Sequence, residues 1–225
     1  MRVAVTGGTG FVGRFFVAEA LAAGEEVLVL SRHPGNAAKA LHRAYDLSGP
    51  LPDLTGIGRL VHCAFDHVPG RYRGGEGDDP EGFLTRNAEG TARLFRAARE
   101  AGVRELVFLS SRAVYDGHPP GCLLTEETPP LPTTLYGEAK LRGEAALAGV
   151  IGPDMRGAIL RVTGVYGPPA PGHKWQALFD AFRSGAPVEP GVATEVHGAD
   201  VAQAARVALA ETAAGTCGIW NVSDL

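Results

Sequence analysis

Short runs of consecutive apolar residues alternate along this chain with longer segments whose apolar residues recur at helical spacing. The short runs, which have the composition of buried strands, are residues 2–6, 26–31, 59–63, 105–109 and 157–161. The periodic segments, which are typical of helices, are residues 11–23, 81–101, 136–148 and 199–213. Because strands and helices take turns, the pattern predicts an α/β fold with a doubly wound parallel sheet and right-handed crossovers.

Other segments interrupt this alternation. Residues 37–44 have a helical composition, and residues 66–80, rich in Gly, Pro and charged residues, predict a loop. Residues 117–132 form a proline-rich excursion, after which Thr133 or Thr134 can cap the next helix.

A glycine-rich turn connects the first strand to the first helix. It fits G-x-G-x-x-G through Gly8, Gly10 and Gly13, or the looser G-x-x-G-x-x-G through Gly7, Gly10 and Gly13. In either case the missing Cβ atoms allow a tight turn and a close approach to a pyrophosphate, which the N–H groups of the following helix attract. The order of strand, turn and helix therefore predicts a dinucleotide site, with its phosphates near residues 9–12.

The end of the second strand bears on the choice between NAD and NADP. An acidic residue about 20 positions beyond the glycines would accept a ribose hydroxyl of NAD, whereas an arginine there can receive the 2′-phosphate of NADP. This chain has Ser31 followed by Arg32, with no acid. The pattern favours NADP over NAD, and a solvated surface arginine is the alternative interpretation of Arg32.

Composition and charge narrow the classes of partner. Of the 225 residues, 45% are hydrophobic and 20% are charged, as in an ordinary globular protein with a full core. The net charge is −4 and the 21 Lys and Arg residues are scattered, so nucleic acids and membrane surfaces are not expected as partners. No apolar run reaches membrane-spanning length, and the first strand starts at once, so no leader is expected.

Cysteine and histidine usage argues against disulfides and metals. Cys63, Cys122 and Cys217 are widely spaced and form no C-x-x-C pair. The seven histidines form no cluster with ligand spacing, and His62 and His197 are expected to be structural. We therefore expect no metal, and a reducing, cytoplasmic setting.

Tyr136 and Lys140 are the candidates for proton transfer. Residues four apart share one face of a helix, so the Lys140 ammonium can lie beside the Tyr136 phenol and favour its ionised form. Ser111 ends a buried strand, and ligands in this architecture bind beyond the carboxyl ends of strands. Its hydroxyl can therefore bond the substrate oxygen whose proton Tyr136 exchanges. The Y-x-x-x-K spacing is common by chance, and it gains specificity from its combination with the glycine turn.

Eight segments carry recognisable motifs. They are TGGTGFVG at residues 6–13, VHCAF at 61–65, NAEGTARL at 87–94, LSSRAVY at 109–115, YGEAK at 136–140, RVTGVYGP at 161–168, HGADVA at 197–202 and WNVSD at 220–224. In this order, and over nearly the whole chain, they resemble the extended short-chain dehydrogenases/reductases, the NAD(P)-dependent epimerase/dehydratase family. The resemblance implies a Rossmann fold and an NAD(P)-dependent enzyme acting on a small molecule.

The resemblance also implies roles for individual residues. Those that match cofactor-binding positions are Gly7, Gly8, Gly10, Phe11, Val12 and Gly13 at the diphosphate, Ser31 and Arg32 at the adenosine ribose, Asp46 and Leu47 at adenine, and Cys63, Ala64, Phe65, Asn87 and Thr163 elsewhere along the cofactor. For Asn87 a local backbone hydrogen bond is the alternative. Ser111 matches the catalytic Ser or Thr, and Tyr136 the catalytic acid/base. Lys140 is also expected to bind the nicotinamide ribose.

The chain departs from the family pattern where nucleotide-sugar enzymes hold their substrate. Those enzymes often read R-F-F-N-V-Y-G-P, and this chain has Gly164 in place of the Asn. They often have an Arg that faces a diphosphate, where this chain has Ala-Thr-Glu at residues 193–195. Arg112 and Ala113 replace the Asp-Glu pair usual in dehydratases, which disfavours dehydration.

The resemblance divides the chain into a dinucleotide-binding domain at residues 1–165, a small substrate-binding annex at residues 166–196, and a late helix and strand at residues 197–225. In the annex, His173 and Trp175 are candidate substrate contacts, and a solvated side chain is the alternative for His173. Phe179 and Phe182, at helical spacing, are expected in the core.

These observations predict an NAD(P)-dependent oxidoreductase that transfers hydride at a secondary alcohol or ketone of a small polar or sugar-like substrate. Two alternatives stay open: a redox-neutral sugar epimerase with tightly bound cofactor, and a non-catalytic regulator that senses NADP. By analogy with the family, a homodimer through the helices at residues 81–101 and 136–148 is expected.

Overall fold

The computed structural model describes residues 1–35, 39–68, 74–168, 176–189, 191 and 193–224. The strands within these residues are β1 (Arg2–Thr6), β2 (Glu26–Ser31), β3 (Leu41–Ala44), β4 (Arg59–His62), β5 (Glu105–Ser111), β6 (Arg156–Val162), β7 (Gly164–Tyr166), β8 (Glu195–His197) and β9 (Cys217–Val222). The helices are α1 (Gly13–Ala22), α2 (Pro80–Leu84), α3 (Gly90–Glu100), α4 (Leu135–Val150), α5 (Gln176–Ser184) and α6 (Gly198–Glu211). A π-helical turn (Thr85–Glu89) joins α2 to α3, and a 3₁₀ turn (Arg112–Tyr115) follows β5.

One parallel sheet of seven strands organises the molecule, in the order β3-β2-β1-β4-β5-β6-β9. The chain builds outward from β1 to β3 on one side, then returns to β4 and builds outward to β9 on the other. The predicted doubly wound α/β fold is confirmed. The strand order reverses beside β1, and in such sheets ligands bind at this switch point, beyond the carboxyl ends of the strands.

Apolar layers cover both faces of the sheet, because successive strand residues point to opposite sides. Val5 of β1 lies in a buried cluster with Phe16 of α1 and with residues of α6. Ala4, its neighbour in β1, lies in the opposite cluster with Phe95 of α3 and Leu147 of α4. With both faces packed against helices, the carboxyl edge of the sheet is where polar side chains meet solvent.

The helices predicted at residues 81–101 and 136–148 are confirmed. The first runs from Pro80 to Glu100 and contains the π-helical turn, which was not predicted. The second is α4, and Thr134 caps it, because Thr134 Oγ1 accepts a hydrogen bond of 3.1 Å from Gly137 N.

The helix predicted from the composition of residues 37–44 was wrong. Leu41–Ala44 form strand β3, which pairs in parallel with β2 and is an edge of the sheet. Residues 36–38 lie outside the described residues. All four residues of β3 are exposed, so the strand carries no apolar alternation, and its pairing with β2 decides its conformation.

The predicted annex at residues 166–196 contains α5 and most of β8. β7 and β8 pair in parallel as a separate two-stranded sheet. Phe179 and Phe182 of α5 are 40% and 76% exposed, so their predicted place in the core was wrong. Apolar spacing marks one face of a helix without showing what covers that face. His173 and Trp175 lie outside the described residues.

Candidate active site

A cleft of about 340 Å³ opens at the carboxyl edge of the sheet, beside β1. Its walls are the glycine turn, the residues that follow β2, β3 and β4, and part of α4. The predicted site residues that line it are Gly7, Gly10, Phe11, Val12, Gly13, Ser31, Arg32, Asp46, Leu47, Cys63, Ala64, Phe65, Tyr136 and Lys140. The fold therefore brings the glycine turn and the Tyr-Lys pair to one cavity.

Two glycines of the turn make backbone contacts that no side chain permits. Gly7 has a φ of +65°, and a Cβ there would lie 2.8 Å from the Ala64 backbone nitrogen. A Cβ on Gly13 would overlap the Gly7 carbonyl oxygen. Gly8, in contrast, faces apolar side chains of α1 and β2 and does not line the cleft. The structure therefore favours the G-x-x-G-x-x-G alternative, through Gly7, Gly10 and Gly13.

The start of α1 completes a cradle for an anion. Val12 occupies the N-cap position and supplies no side-chain hydrogen bond to the first turn of the helix. Backbone N–H groups at such a terminus attract phosphate oxygens, and the helix dipole adds to that attraction. Gly13 lets the first turn of α1 pack directly against the Gly7 carbonyl oxygen, which holds the glycine turn close to the start of the helix. A diphosphate fits these features.

The residues after β2 and β3 give the cleft a polar side. Ser31 Oγ donates a hydrogen bond of 2.8 Å to the His33 carbonyl oxygen, and the Arg32 side chain is 63% exposed. Hydrogen bonds from the Ser48 hydroxyl and backbone hold the pKa of the Asp46 carboxyl below its usual value. Arg32 and Asp46 therefore both present their charges at the surface of the cleft.

Tyr45, which follows β3, lines the same side of the cleft. Its hydroxyl oxygen is buried and has no hydrogen-bond partner within the described part of the chain. Burial raises the pKa of this hydroxyl to about 12, so it stays protonated and keeps its capacity to donate. An unpartnered buried donor of this kind, together with the diphosphate cradle, fits a bound dinucleotide.

Lys140 is buried beside the aromatic rings of Phe65, Phe108 and Tyr136. It is 3% exposed, and its Nζ donates a hydrogen bond of 2.7 Å to the Leu109 carbonyl oxygen. The same nitrogen lies 4.5 Å from the centre of the Phe65 ring and 5.8 Å from that of Tyr136. Burial lowers the pKa of Lys140 to about 8, so the side chain is still mostly cationic at neutral pH. The Tyr136 phenol thus has a positive charge for a neighbour.

Ser111, Asn87 and Thr163, together with Gly8, are predicted site residues that do not line the cleft. Ser111 ends β5 at the carboxyl edge of the sheet, and its Oγ accepts a hydrogen bond of 3.2 Å from Ala113 N. Thr163 Oγ1 donates to the Val222 carbonyl oxygen at 3.3 Å, which ties β6 to β9. Ser111 is therefore at the expected edge, with its hydroxyl capping the 3₁₀ turn.

Asn87 holds the backbone of Asp66. Its Oδ1 accepts a hydrogen bond of 2.7 Å from Asp66 N, and its Nδ2 donates to the Asp66 carbonyl oxygen at 2.8 Å. The Nδ2 group also donates to the Phe83 carbonyl oxygen at 3.0 Å, which is the local bond expected as the alternative. Asn87 thus positions a segment that lines the cleft and does not itself line it.

Several residues of the cleft were not predicted from the sequence. They are Leu30, His33, Tyr45, Asp66, His67 and Leu109, whereas Thr9 lies in the segment where the phosphates were predicted. Asp66 and His67 directly follow the predicted segment at residues 63–65, so extending that segment would have found them. Tyr45 was missed because strand β3 was not recognised.

A buried polar network lies behind Lys140. Glu144, one helical turn further along α4, forms an ion pair with Arg161 of β6 through Nη2 and Oε2 at 2.6 Å. Ser110 of β5 donates to the same carboxylate, and Arg161 also donates to the Tyr115 hydroxyl. The side chains of the ion pair are only 3% and 5% exposed. This network fixes α4 against β5 and β6, the strands beside it.

Gly164 and Glu195, which belong to the two segments where this chain departs from the nucleotide-sugar pattern, lie next to each other. β7 and β8 pair so that Gly164 lies opposite Glu195. A Cβ at Gly164 would overlap the Glu195 carboxylate. An acidic group therefore fills the space that a side chain at position 164 would need.

Comparisons with known proteins agree with this geometry. The family model for the NAD dependent epimerase/dehydratase family matches residues 3–223. A dTDP-6-deoxy-L-talose 4-dehydrogenase (NAD(P)(+)) of Kitasatospora kifunensis is 38% identical over 191 residues, which are 81% of this chain and 59% of that protein. A UDP-glucose 4-epimerase of Lacticaseibacillus casei is 34% identical over 155 residues, 64% of this chain and 45% of that protein. The chain thus spans about half the length of the curated relatives it matches.

Solved structures with a similar fold include enzymes in complex with NAD. MoeE5 in complex with UDP-glucose and NAD superposes with a TM-score of 0.84 at 29% identity, covering 99% of this chain and 76% of that one. The UDP-glucose 4-epimerase of Thermus thermophilus in complex with NAD superposes with a TM-score of 0.79 at 28% identity, covering 99% and 78%. Among the described residues, no helix is long and apolar enough to cross a membrane.

Proposed function

This chain belongs to the NAD dependent epimerase/dehydratase family, and on that premise we propose that it is an NAD(P)-dependent oxidoreductase. The proposed reaction is hydride transfer at a secondary alcohol or ketone of a small polar or sugar-like substrate. One observation carries the proposal: the buried Lys140 lies beside the Tyr136 ring in the cleft that also holds the glycine turn. Proton transfer and dinucleotide binding then share one cavity.

When bound, NAD(P) supplies or accepts the hydride. Tyr136 exchanges the proton of the substrate oxygen, and the Lys140 ammonium favours the ionised phenol. Ser111 orients the substrate oxygen from the end of β5. Phe65 packs edge to face against Tyr136, with ring centres 5.0 Å apart, and so limits the positions that the phenol can take.

For the cofactor we propose NADP in preference to NAD. The turn at residues 7–13 holds the diphosphate, the segments after β3 and β4 hold the adenosine, and Lys140 also holds the nicotinamide ribose. The exposed Arg32 guanidinium receives the 2′-phosphate. The first 165 residues form the dinucleotide-binding domain in this proposal, and residues 166–196 form the annex that selects the substrate.

A redox-neutral epimerase is the second candidate, because UDP-glucose 4-epimerases are among the relatives. In that reaction the same Tyr136 and Lys140 act, and the cofactor stays bound through the cycle. The departure at Gly164 and Glu195 favours the first candidate, because the Glu195 carboxylate occupies the space where nucleotide-sugar enzymes often carry an Asn side chain.

We further propose that the protein works in the cytoplasm as a homodimer through α3 and α4. A surface groove between these helices is lined partly by small residues, including Ala92, Ala146 and Gly149. Small side chains let the helices of two copies approach closely. Sedimentation velocity tests this assembly, and a monomer at micromolar concentration would contradict it.

The experiment that tests the function measures NADPH absorbance with a panel of carbonyl compounds. Net consumption that stops in Tyr136→Phe, while NADPH binding by that variant is retained, is the result expected for the oxidoreductase. Epimerised product without net absorbance change would favour the second candidate. A Tyr136→Phe variant that turns over at the wild-type rate would contradict both.

A further inference from the structure

A row of alternating charges runs along the polar side of the cleft. Arg86 Nε lies 2.7 Å from Asp66 Oδ2, and Arg86 Nη1 lies 2.9 Å from Asp79 Oδ2. At the other end, Arg32 Nη1 lies 3.8 Å from Asp66 Oδ1. Asp66 and Arg32 line the cleft, whereas Arg86 and Asp79 stand behind them. One carboxylate is thus shared unequally between two guanidinium groups.

The Asp66 carboxylate is held in place. Asn87 bonds both the backbone N–H and the carbonyl oxygen of Asp66, so this residue cannot shift without breaking two hydrogen bonds. Arg86 is fixed in turn by Asp79, which also caps α2 by accepting a hydrogen bond of 2.9 Å from Gly82 N. An incoming ligand therefore meets a fixed acid at this point of the cleft.

The distances show which cation pairs with this acid. The contact of Asp66 with Arg86 has hydrogen-bond length, and the Arg86 side chain is half as exposed as that of Arg32, at 31% against 63%. A contact of 3.8 Å to the exposed Arg32 guanidinium is weak and easily displaced. Arg32 therefore stays available to another anion, provided that Arg86 keeps its hold on Asp66.

We propose that Asp66 and Arg86 together determine which dinucleotide the cleft selects. Arg86 neutralises the Asp66 carboxylate, so that the carboxylate neither captures Arg32 nor repels a phosphate on the adenosine ribose. Arg86 is a positioning residue here, because it acts through Asp66 and Arg32. The inference rests on the proposed function in one respect: it takes Arg32 as the group that receives the extra phosphate.

Calorimetric titration of each variant with NADPH and with NADH tests the roles of Asp66 and Arg86, and it needs no substrate. Arg86→Gln should weaken NADPH binding about fivefold and leave NADH binding within about twofold, which corresponds to one exposed charge interaction. Asp66→Asn should tighten NADPH binding by a similar factor and leave NADH binding unchanged, because the acid that repels the extra phosphate is gone. The double variant should match Asp66→Asn, because Arg86 then has no acid left to neutralise.

Arg142→Gln is the matched control, since it breaks an arginine–carboxylate pair on α4 that does not line the cleft. Equal losses of NADPH and NADH affinity in Arg86→Gln would overturn the inference. Weaker NADH binding in Asp66→Asn would also overturn it, because Asp66 would then be an acceptor for a ribose hydroxyl. Arg32→Ala separates the two proposals. If that variant weakens both dinucleotides equally, the role of Arg32 fails, and the Asp66→Asn shift still decides whether the acid discriminates between them.

Discussion

Burial destabilises the charged form of the Lys140 side chain. The side chain donates a hydrogen bond to a carbonyl oxygen and has three aromatic rings nearby, so few groups replace the water it loses. The consequence is a pKa of about 8 in the native protein, against 10.5 for a free lysine. An ammonium that is this weakly solvated is a strong local charge for the Tyr136 phenol.

Lys140→Met is expected to remove a pH-dependent part of the free energy of unfolding. Between about pH 8 and pH 10.5 the unfolded chain keeps the Lys140 proton while the native protein releases it, so rising pH favours the native state. Relative to the variant, the wild type should gain up to about 3 kcal/mol across this window. Urea unfolding at a series of pH values measures the difference, with the exposed Lys39→Met as control. A difference that does not change with pH would contradict the prediction.

The site residues that could be predicted are those placed by local geometry. Tyr136 and Lys140 share a helix face because they are four apart, and the glycine turn is defined by its own spacing. Asp66 and Tyr45 reach the cleft because β3 and β4 lie on either side of β2 and β1, and this order of strands is set by tertiary packing. Asn87 matched a motif, yet its contacts with the Asp66 backbone depend on how the helix packs against the loop.

Three neighbouring strands meet in register beneath α4. Ser110 of β5 lies opposite Arg161 of β6, which lies opposite Asn221 of β9. Arg161 joins the α4 carboxylate of Glu144 to the Tyr115 hydroxyl, which lies 3.2 Å from Asn221 Oδ1. The network thus sets the position of α4, and with it the position of Tyr136 and Lys140.

Glu144→Gln is expected to destabilise the protein by about 3 kcal/mol, because it leaves the Arg161 charge buried without a counter-charge. The paired Glu144→Met and Arg161→Met variant removes both charges and should recover much of that loss. Glu138→Gln on the same helix breaks an exposed pair with Arg142 and should cost less than about 1 kcal/mol. Denaturant unfolding compares the three. Equal losses for Glu144→Gln and Glu138→Gln would rule out the stabilising role of the buried pair.

Strands and helices could be predicted where their own residues show an apolar run, a helical period or a capping residue. β5 is a continuous apolar run, and α4 has a capping threonine at its start. β3 consists of four exposed residues, and β7 and β8 of three residues each, so pairing partners define them rather than composition. The π-helical turn lies inside a continuous helical segment, and no residue type in it predicts a wider turn.

The cleft lies where the two halves of the main sheet meet. Residues that follow β1, β2, β3 and β4 form most of its wall, and Leu109, Tyr136 and Lys140 close it from the side of β5 and α4. A ligand that touches all these segments contacts residues far apart in the chain. Unfolding of the sheet destroys every one of these contacts at once, so binding is coupled to the stability of the whole molecule.

A dinucleotide is therefore expected to raise the unfolding temperature of the entire fold. At a concentration about 100 times Kd, a ligand that binds only the native state adds about 2.7 kcal/mol to the free energy of unfolding. For a chain of this size that corresponds to a rise in Tm of about 5–10 °C, measured by calorimetry with NADPH or NADH. Gly13→Val should lose the rise, because its side chain would overlap the Gly7 carbonyl oxygen and displace the glycine turn from the start of α1. Gly191→Ala, at an exposed position with open space around it, should keep the rise. A Tm that neither dinucleotide changes at millimolar concentration would show that the cleft binds a different class of ligand.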